Sequence, residues 1–363
     1  MNVMHILATA GTGGIESLCR DYSCYSNNKN IFIVLWGKNG ESANVIRKCG
    51  GSVIELDSKK KDVLKVFATL CYIVKRYSIE AVVVHHAAPI MHIYMQLLKV
   101  RYKSLKTIAY AHGSAEDMCR HDDPKGLAIR KKILEKSLKR STIVVAISND
   151  VKKSLIAYFG VPENKISVIY NGTDTARFTS EISAIIKKPV RLIYVGRLIE
   201  EKGIQNTIKT LSVLSKDYEW IFDIVGDGIY RRTLEELIKA LNLADRIHFW
   251  GKQSDIPKLL SEHDIFIHMP KWEEGFGITV IEAMAAGTLC ICLAKGGIPE
   301  IITDREDGIL VNTNEELEKV LNSIFADTQD AQLYKIRCNA AKTAEKFSIE
   351  HFSEQLDELV CRV

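Results

Sequence analysis

Apolar runs of three to five residues, rich in valine and isoleucine, alternate along this chain with longer stretches whose apolar positions recur every three or four residues. His5–Ala8, Ile31–Leu35, Ser52–Ile54, Ala81–Val84, Thr107–Tyr110 and Ile143–Ala146 read as buried strands, because they are short, β-branched and bounded by turn or polar residues. Helical patterns lie near 15–26, 62–78, 89–101, 126–140 and 149–158. The series then restarts. Arg191–Val195, Ile221–Val225, Ile247–Trp250, Ile265–His268 and Leu289–Leu293 read as strands, with helices near 203–215, 229–241, 279–286 and 313–326. Such alternation predicts an α/β fold of parallel strands with helices on both faces. The expected organisation is a Rossmann-like domain over 1–170, a polar linker over 171–189, a second such domain over 190–346, and a closing segment, 347–363, with a helix at Ile349–Leu359. In doubly wound sheets ligands bind beyond the carboxyl ends of the strands, so the loops that follow strands are the places to look for chemistry.

Composition narrows the classes. A hydrophobic fraction of 47% excludes a disordered chain. No stretch approaches the ~18 consecutive apolar residues that would cross a bilayer. The opening MNVMHILATAGTGG lacks the basic start and long apolar core of a signal peptide, and the nine cysteines show no paired spacing. The expectation is a cytoplasmic protein with reduced thiols. Charge divides unevenly: residues 1–165 hold 26 Lys+Arg and 14 Asp+Glu (+12), and the remainder 23 and 31 (−8). That asymmetry predicts an anionic partner for the first half, unless the two halves only attract each other. Lys99, Arg101, Lys103 and Lys106, with Arg130, Lys131, Lys132, Lys136, Lys139 and Arg140, form the basic segments. They lack the interleaved aromatics of a stacking platform, so no nucleic-acid partner is expected.

Four loops carry candidate chemistry. Gly11-Thr12-Gly13-Gly14 follows the first strand and opens a helix, where free N–H groups suit a phosphate; a tight turn explains it equally well. Gly196-Arg197-Leu198, with Lys202-Gly203, places an Arg fork and a Lys point charge at a strand end, suited to a diphosphate. Gly226-Asp227-Gly228 follows the next strand and is otherwise only a turn. Glu274-Gly275-Phe276-Gly277-Ile278-Thr279 leads into a helix bearing Glu282. Its backbone N–H groups suit phosphate and its two carboxylates suit sugar or ribose hydroxyls. A capping box at Thr279 and Glu282 would explain those two residues but not Glu274. The absence of any Asp-x-Asp predicts a reaction without a metal.

These motifs resemble those of the retaining family-4 glycosyltransferases of group 1, which have the GT-B fold of two Rossmann-like domains facing across a cleft. EEGFGITVIEAMAAGT resembles the family's two-glutamate signature and VGRLIEEKG its diphosphate-binding segment; VIYNGTD, GGIPEII, DGILV and Gly13-Gly14 match further family segments in order. The resemblance implies transfer of a hexosyl or N-acetylhexosaminyl group from a nucleotide sugar. A UDP-sugar is the expected donor and GDP-mannose the alternative. It implies that Arg197 and Lys202 neutralise the pyrophosphate, Gly196 and Gly226 line its site, Glu282 holds the ribose and Glu274 the sugar. His112, at the end of a first-domain strand, would face the transferred sugar, and the last helix would cross back to the first domain. The acceptor would be a glycan or lipid-linked glycan in surface polysaccharide synthesis, met by the basic first domain as a peripheral protein at the inner, anionic face of a membrane. A nucleotide-sugar epimerase and a sugar-binding pseudoenzyme are the competing classes. Cys290 and Cys292 read as buried thiols, His85-His86 as a turn or partly buried pair, and Trp272 as either a sugar platform or a cover for the glycine loop.

Overall fold

The central runs read as strands show no alternation because both their faces are covered: all four residues of Ala81–Val84 are buried, whereas the edge strand at Ile247–Gly251 alternates between exposed positions and buried or half-buried ones. The computed structural model describes residues 1–363 apart from Thr12, Lys60, His121 and Asp122. Its strands are β1 (Asn2–Leu7), β2 (Lys29–Val34), β3 (Ser52–Glu55), β4 (Ala81–Val84), β5 (Lys106–Ala111), β6 (Ile143–Ala146), β7 (Ile166–Val168), β8 (Val190–Val195), β9 (Trp220–Val225), β10 (Ile247–Gly251), β11 (Ile265–His268), β12 (Leu289–Leu293) and β13 (Ile309–Val311). The helices are α1 (Gly14–Tyr25), α2 (Glu41–Lys48), α3 (Val63–Arg76), α4 (Pro89–Arg101), α5 (Ala115–Cys119), α6 (Pro124–Arg140), α7 (Asn149–Phe159), α8 (Ile204–Ser212), α9 (Arg231–Ala240), α10 (Ile256–Ser261), α11 (Ile278–Ala285), α12 (Asn314–Ala326), α13 (Ala331–Ala344) and α14 (Ile349–Arg362).

The chain divides into two compact units, Met1–Gly172 with Ile349–Val363, and Thr173–Ser348. Among the described residues the first holds a seven-stranded sheet of order β3-β2-β1-β4-β5-β6-β7, and the second a six-stranded sheet of order β10-β9-β8-β11-β12-β13. Every strand pairing is parallel, with β1 beside β2 and β4, and β8 beside β9 and β11. The order therefore reverses between β1 and β4 in the first unit and between β8 and β11 in the second. In each sheet that reversal opens a crevice beyond the carboxyl ends.

Helix α14 belongs to the first unit. Phe352 meets Tyr22 of α1 edge-on at 5.9 Å, and Leu356, Leu359 and Val360 are buried. The polar stretch 171–189 is not a bare connection. Phe178 and Ile186 are buried, Ser180 Oγ donates to the Ala286 carbonyl at 2.8 Å, and Arg337 donates to the Ser183 carbonyl at 3.1 Å. Side packing, not periodicity, orders this segment. Reduced thiols were expected, but Cys24 and Cys49 form a disulfide with Cα atoms 5.3 Å apart. The packing of α1 against α2 brings their ends together across 25 residues, so no local spacing announces the pair. Cys290 and Cys292 are free and fully buried, as expected of structural thiols.

Candidate functional site

In the second unit the loops after β8, β9 and β11 meet at the reversal point. Two glycines make that approach possible. A side chain at Gly226 would collide with the Gly196 carbonyl, and one at Gly203 with the Met269 carbonyl, each at positive φ (130° and 71°). The Arg197 loop is braced further: Leu198 N–H donates to the Asp227 carbonyl at 3.0 Å, and the buried Tyr194 hydroxyl to the Arg197 carbonyl at 3.2 Å. The turn Glu200–Lys202 thus sits against the root of the Glu274 loop.

Lys202 Nζ bonds Glu274 Oε2 at 2.6 Å, each side chain 15% exposed. His268, the last residue of β11, donates from Nε2 to the same oxygen at 3.2 Å. Burial works against the Glu274 charge, but the His268 bond and the Lys202 cation outweigh it and hold the carboxyl well below the usual range. Burial conversely lowers His268, against the pull of Glu274. Its Nδ1 is buried without a partner among the described residues, which matches a neutral ring donating through Nε2. The Lys202 ammonium lies 5.5 Å from the Trp272 ring centroid, so Trp272 faces this ion pair.

The remaining predicted residues fall around this cluster. Arg197 is exposed and has no ion-pair or hydrogen-bond partner for its guanidinium among the described residues. Gly275 and Gly277 are buried, as is Phe276, whose ring lies 5.6 Å from Phe347 and anchors the loop in the core. Helix α11 starts from Gly277 at φ 110° with no side-chain cap, so the capping box at Thr279 and Glu282 is not formed. Ile278 and Thr279, half-buried, open the helix, where the amides have no intrahelical acceptor. Glu282, one turn on, is half-buried. Sequence reasoning gave Gly296-Gly297 no role of its own. Gly297 N–H donates to the Glu274 carbonyl at 2.7 Å, and side chains at either glycine would collide with Glu274 or Gly275 backbone. The signal was the consecutive glycines.

The first unit builds its crevice differently. The loop containing Gly13 and Gly14 has its own anion; Thr12, within it, lies outside the described residues. Glu16 folds back so that a side chain at Gly13 would collide with its carboxylate, Thr9 Oγ1 donates to Glu16 Oε1 at 2.6 Å, and His86 Nε2 lies 3.7 Å from it. Burial opposes the charge of Glu16, yet the His86 and Thr9 interactions bring its carboxyl down to about 2. The expected phosphate position at this helix start is occupied by an internal carboxylate, as the attraction of helix N-termini for anions allows.

His112 follows β5 and is half-buried. Its Nε2 is 3.2 Å from His85 Nδ1, and His85 Nε2 is 2.9 Å from His5 Nδ1. His5 Nε2 is 3.1 Å from Asn30 Oδ1. Burial lowers all three imidazoles, His5 to about 4, His112 to about 3 and His85 well below its ordinary value. His85, expected in a turn or partly buried pair, is 2% exposed.

The basic segments come together on one part of this unit because α4 and α6 pack against each other. Some of their charges serve the fold: Lys99 bonds the Leu105 carbonyl at 2.5 Å, Lys139 pairs with Glu135 at 2.7 Å, and Lys131 stands 3.8 Å from the Tyr158 ring centroid. Val100 and Ile129 nearby are 75% and 62% exposed. Among the described residues no helix is long and apolar enough to cross a membrane, and no group of His, Cys, Asp or Glu is placed to hold a metal ion.

Residues 176–346 match the family described as Glycosyl transferases group 1, and residues 13–177 the Glycosyltransferase Family 4. An uncharacterized glycosyltransferase of Methanocaldococcus jannaschii is 32% identical over 181 residues, 46% of either chain. The N-acetyl-α-D-glucosaminyl L-malate synthase of Bacillus anthracis is 25% identical over 302 residues, 80% of this chain and 76% of that one. Among solved structures, Anabaena HepE in complex with UDP-glucose has a TM-score of 0.85 at 20% identity, with both chains fully covered. That likeness concerns the fold, a GT-B arrangement of two parallel-sheet domains.

Proposed function

We propose a sugar transfer from one premise: the chain belongs to the group 1 and family 4 type glycosyltransferases. The donor in this reading is a UDP-sugar carrying a hexosyl or N-acetylhexosaminyl group, and the acceptor is a glycan or lipid-linked glycan. The observation that carries it is the Lys202–Glu274 ion pair beyond β11, with Arg197 in the loop that follows the neighbouring strand β8. Cleaving a glycosyl–phosphate bond develops positive charge at the anomeric carbon and negative charge on the departing diphosphate. Arg197, whose guanidinium has no partner among the described residues, is poised to meet that diphosphate, and Lys202 joins it when released from Glu274. The open amides of Ile278 and Thr279 add donors at a helix start. Glu274 then accepts from sugar hydroxyls and Glu282 from the ribose. Transfer proceeds with retention at the anomeric carbon and without a metal. The UDP-glucose complex of HepE supports the choice of base and sugar class.

A panel of nucleotide sugars, followed by nucleotide release, tests this reading. Turnover of a UDP-sugar, with a larger thermal stabilisation by UDP than by GDP, is the expected result. Preferential turnover of GDP-mannose overturns the donor assignment. Binding without release from any donor converts the protein to a sugar-nucleotide-binding module.

The first unit in this proposal receives the acceptor and rests at the inner, anionic face of a membrane. The support is the +12 charge of residues 1–165 and the shared position of the basic segments with exposed Val100 and Ile129.

A further inference from the structure

The imidazole string in the first unit runs further than its three rings, and its proton directions can be read from one end. Asp357 on α14 accepts from Tyr22 Oη at 2.6 Å, Ser26 Oγ at 2.8 Å, Asn28 Nδ2 at 2.9 Å and Asn27 N–H at 2.7 Å. A carboxylate surrounded by donors is an acceptor only, so the single Ser26 hydroxyl proton points to it. Ser26 Oγ must then accept from Asn30 Nδ2, 2.8 Å away. That turns Asn30 Oδ1 toward His5, and an amide oxygen can only accept, so His5 Nε2 carries a proton. A neutral His5 therefore accepts at Nδ1, His85 donates from Nε2 and accepts at Nδ1, and His112 donates from Nε2. Each ring is held neutral by burial, so each has one proton to place. The remaining atom is His112 Nδ1, which meets no hydrogen-bond partner among the described residues.

The rings also hold one another in place. His85 stacks on His5 at 5.2 Å and on Tyr110 at 5.3 Å, and Tyr110 stacks on His112 at 4.3 Å. We propose that Asp357, through Ser26, Asn30, His5 and His85, fixes His112 as the Nε2–H tautomer and so presents Nδ1 as a hydrogen-bond acceptor for a ligand hydroxyl. His5, His85, Asn30, Ser26 and Asp357 are positioning residues, and the identity of the hydroxyl as a sugar's rests on the function proposed above. A ring of the opposite tautomer would present a donor, and a hydroxyl meeting it would have to offer its oxygen instead.

Histidine-selective nitrogen-15 and carbon-13 NMR of the full chain without ligand tests the string independently of any transfer activity, with the His112 signals identified by their loss in His112→Gln. The expected spectrum shows His112 protonated at Nε2 and bare at Nδ1. Ser26→Ala frees the Asn30 amide to turn over, and the Nδ1–H form of His112 then appears. His5→Phe, which keeps a ring against Phe32, gives the same appearance by removing the central link. An Nδ1–H form in the unaltered protein overturns the proposal, as does a His112 tautomer unmoved by both substitutions. Addition of glucose as a free sugar is expected to shift Nδ1 without changing the tautomer. Shifts elsewhere that leave Nδ1 unmoved overturn its assignment as the hydroxyl acceptor. No shift anywhere, with the apo tautomer as expected, faults the sugar as the source of the hydroxyl and keeps the string.

Discussion

Where the strand order reverses, the second unit gathers an ion pair, and the first sets a string of neutral imidazoles apart from its one carboxylate, Glu16. Lys202 and Glu274 face each other as ions, with His268 donating to the carboxylate. His5, His85 and His112 face each other uncharged. Both groups lie on parallel sheets and both are largely buried, so topology and desolvation do not separate them. The partners do. A carboxylate beside an ammonium repays part of the cost of burial, and an imidazole beside an imidazole does not. The first arrangement suits a ligand of high charge, the second a ligand of hydroxyls.

Removing an ion from the charged group should have the largest effect. Glu274→Ala leaves Lys202 unpaired and His268 Nε2 without its acceptor. Sugar transfer should fall by roughly 10²–10³-fold, the scale of losing one preorganised electrostatic contact. Stability should fall by about 3 kcal/mol, the lower end for breaking a buried pair. Steady-state nucleotide release and thermal melts check both; unchanged turnover in a folded variant would remove the sugar from this position.

The neutral group should announce itself in acid. A histidine whose folded pKa is lowered binds fewer protons in the native state, so its destabilisation begins as pH falls through the unfolded value of 6.5 and saturates below the folded one. For His5 in the string, and for the buried His92 of α4, which lies apart from it with Nδ1 3.0 Å from Ser137 Oγ, burial lowers the pKa to about 4 and the window is pH 6.5 to about 4. Each should cost on the order of 3 kcal/mol across it. Glu16, lowered to about 2, adds stability above 4.5 that is lost only as pH falls further toward 2. Melts across this range should therefore decline before the carboxylates titrate, and His5→Phe should flatten the decline above pH 4.5. An unaltered slope would mean that His5 is not held neutral.

Arg197→Ala sharpens the contrast within the charged group. Among the described residues its guanidinium has no partner to abandon, so stability should change by less than about 0.5 kcal/mol. UDP affinity should drop by roughly 1.5–3 kcal/mol, the scale of a charged hydrogen bond, measured by calorimetric titration. Equal loss of stability in Arg197→Ala and Lys202→Ala would contradict the difference in their pairing.

The smallest effect concerns the basic segments. Each exposed cation near an anionic bilayer contributes about 1 kcal/mol. Lys103→Gln or Lys132→Gln should each weaken co-sedimentation with anionic vesicles a few-fold, with binding lost at high salt. Equal binding to neutral vesicles would exclude an electrostatic surface.

Legibility followed burial. Strands such as Ala81–Val84 and Ile265–His268 were readable because every residue is buried and all but the terminal His268 are apolar, whereas Ile166–Val168 and Ile309–Val311 are three residues long and gave too little pattern. Helix Ala331–Ala344 was missed because its buried face includes Arg337 and alanines beside Leu333 and Ile336. Glu274, Arg197 and Lys202 stood out through glycine-rich strand ends. The pairing of Lys202 with Glu274 did not, since it depends on β8 lying beside β11. The histidine string was invisible for the same reason: its members are 80 and 27 residues apart and become neighbours only once β1, β4 and β5 are placed in order.

The single oxygen shared by Lys202 and His268 makes ligand entry an exchange reaction. An anion that draws Lys202 away strands Glu274, a buried carboxylate left with His268 as its donor. Phosphate oxygens alone cannot repair that, because they bring no protons. A molecule carrying hydroxyl donors a short distance from its phosphates supplies both halves of the exchange at once. The pair thus behaves as a conjunction: each half of such a molecule raises the affinity for the other. The intact molecule should bind more tightly than the separate affinities of free nucleoside diphosphate and free sugar add up to.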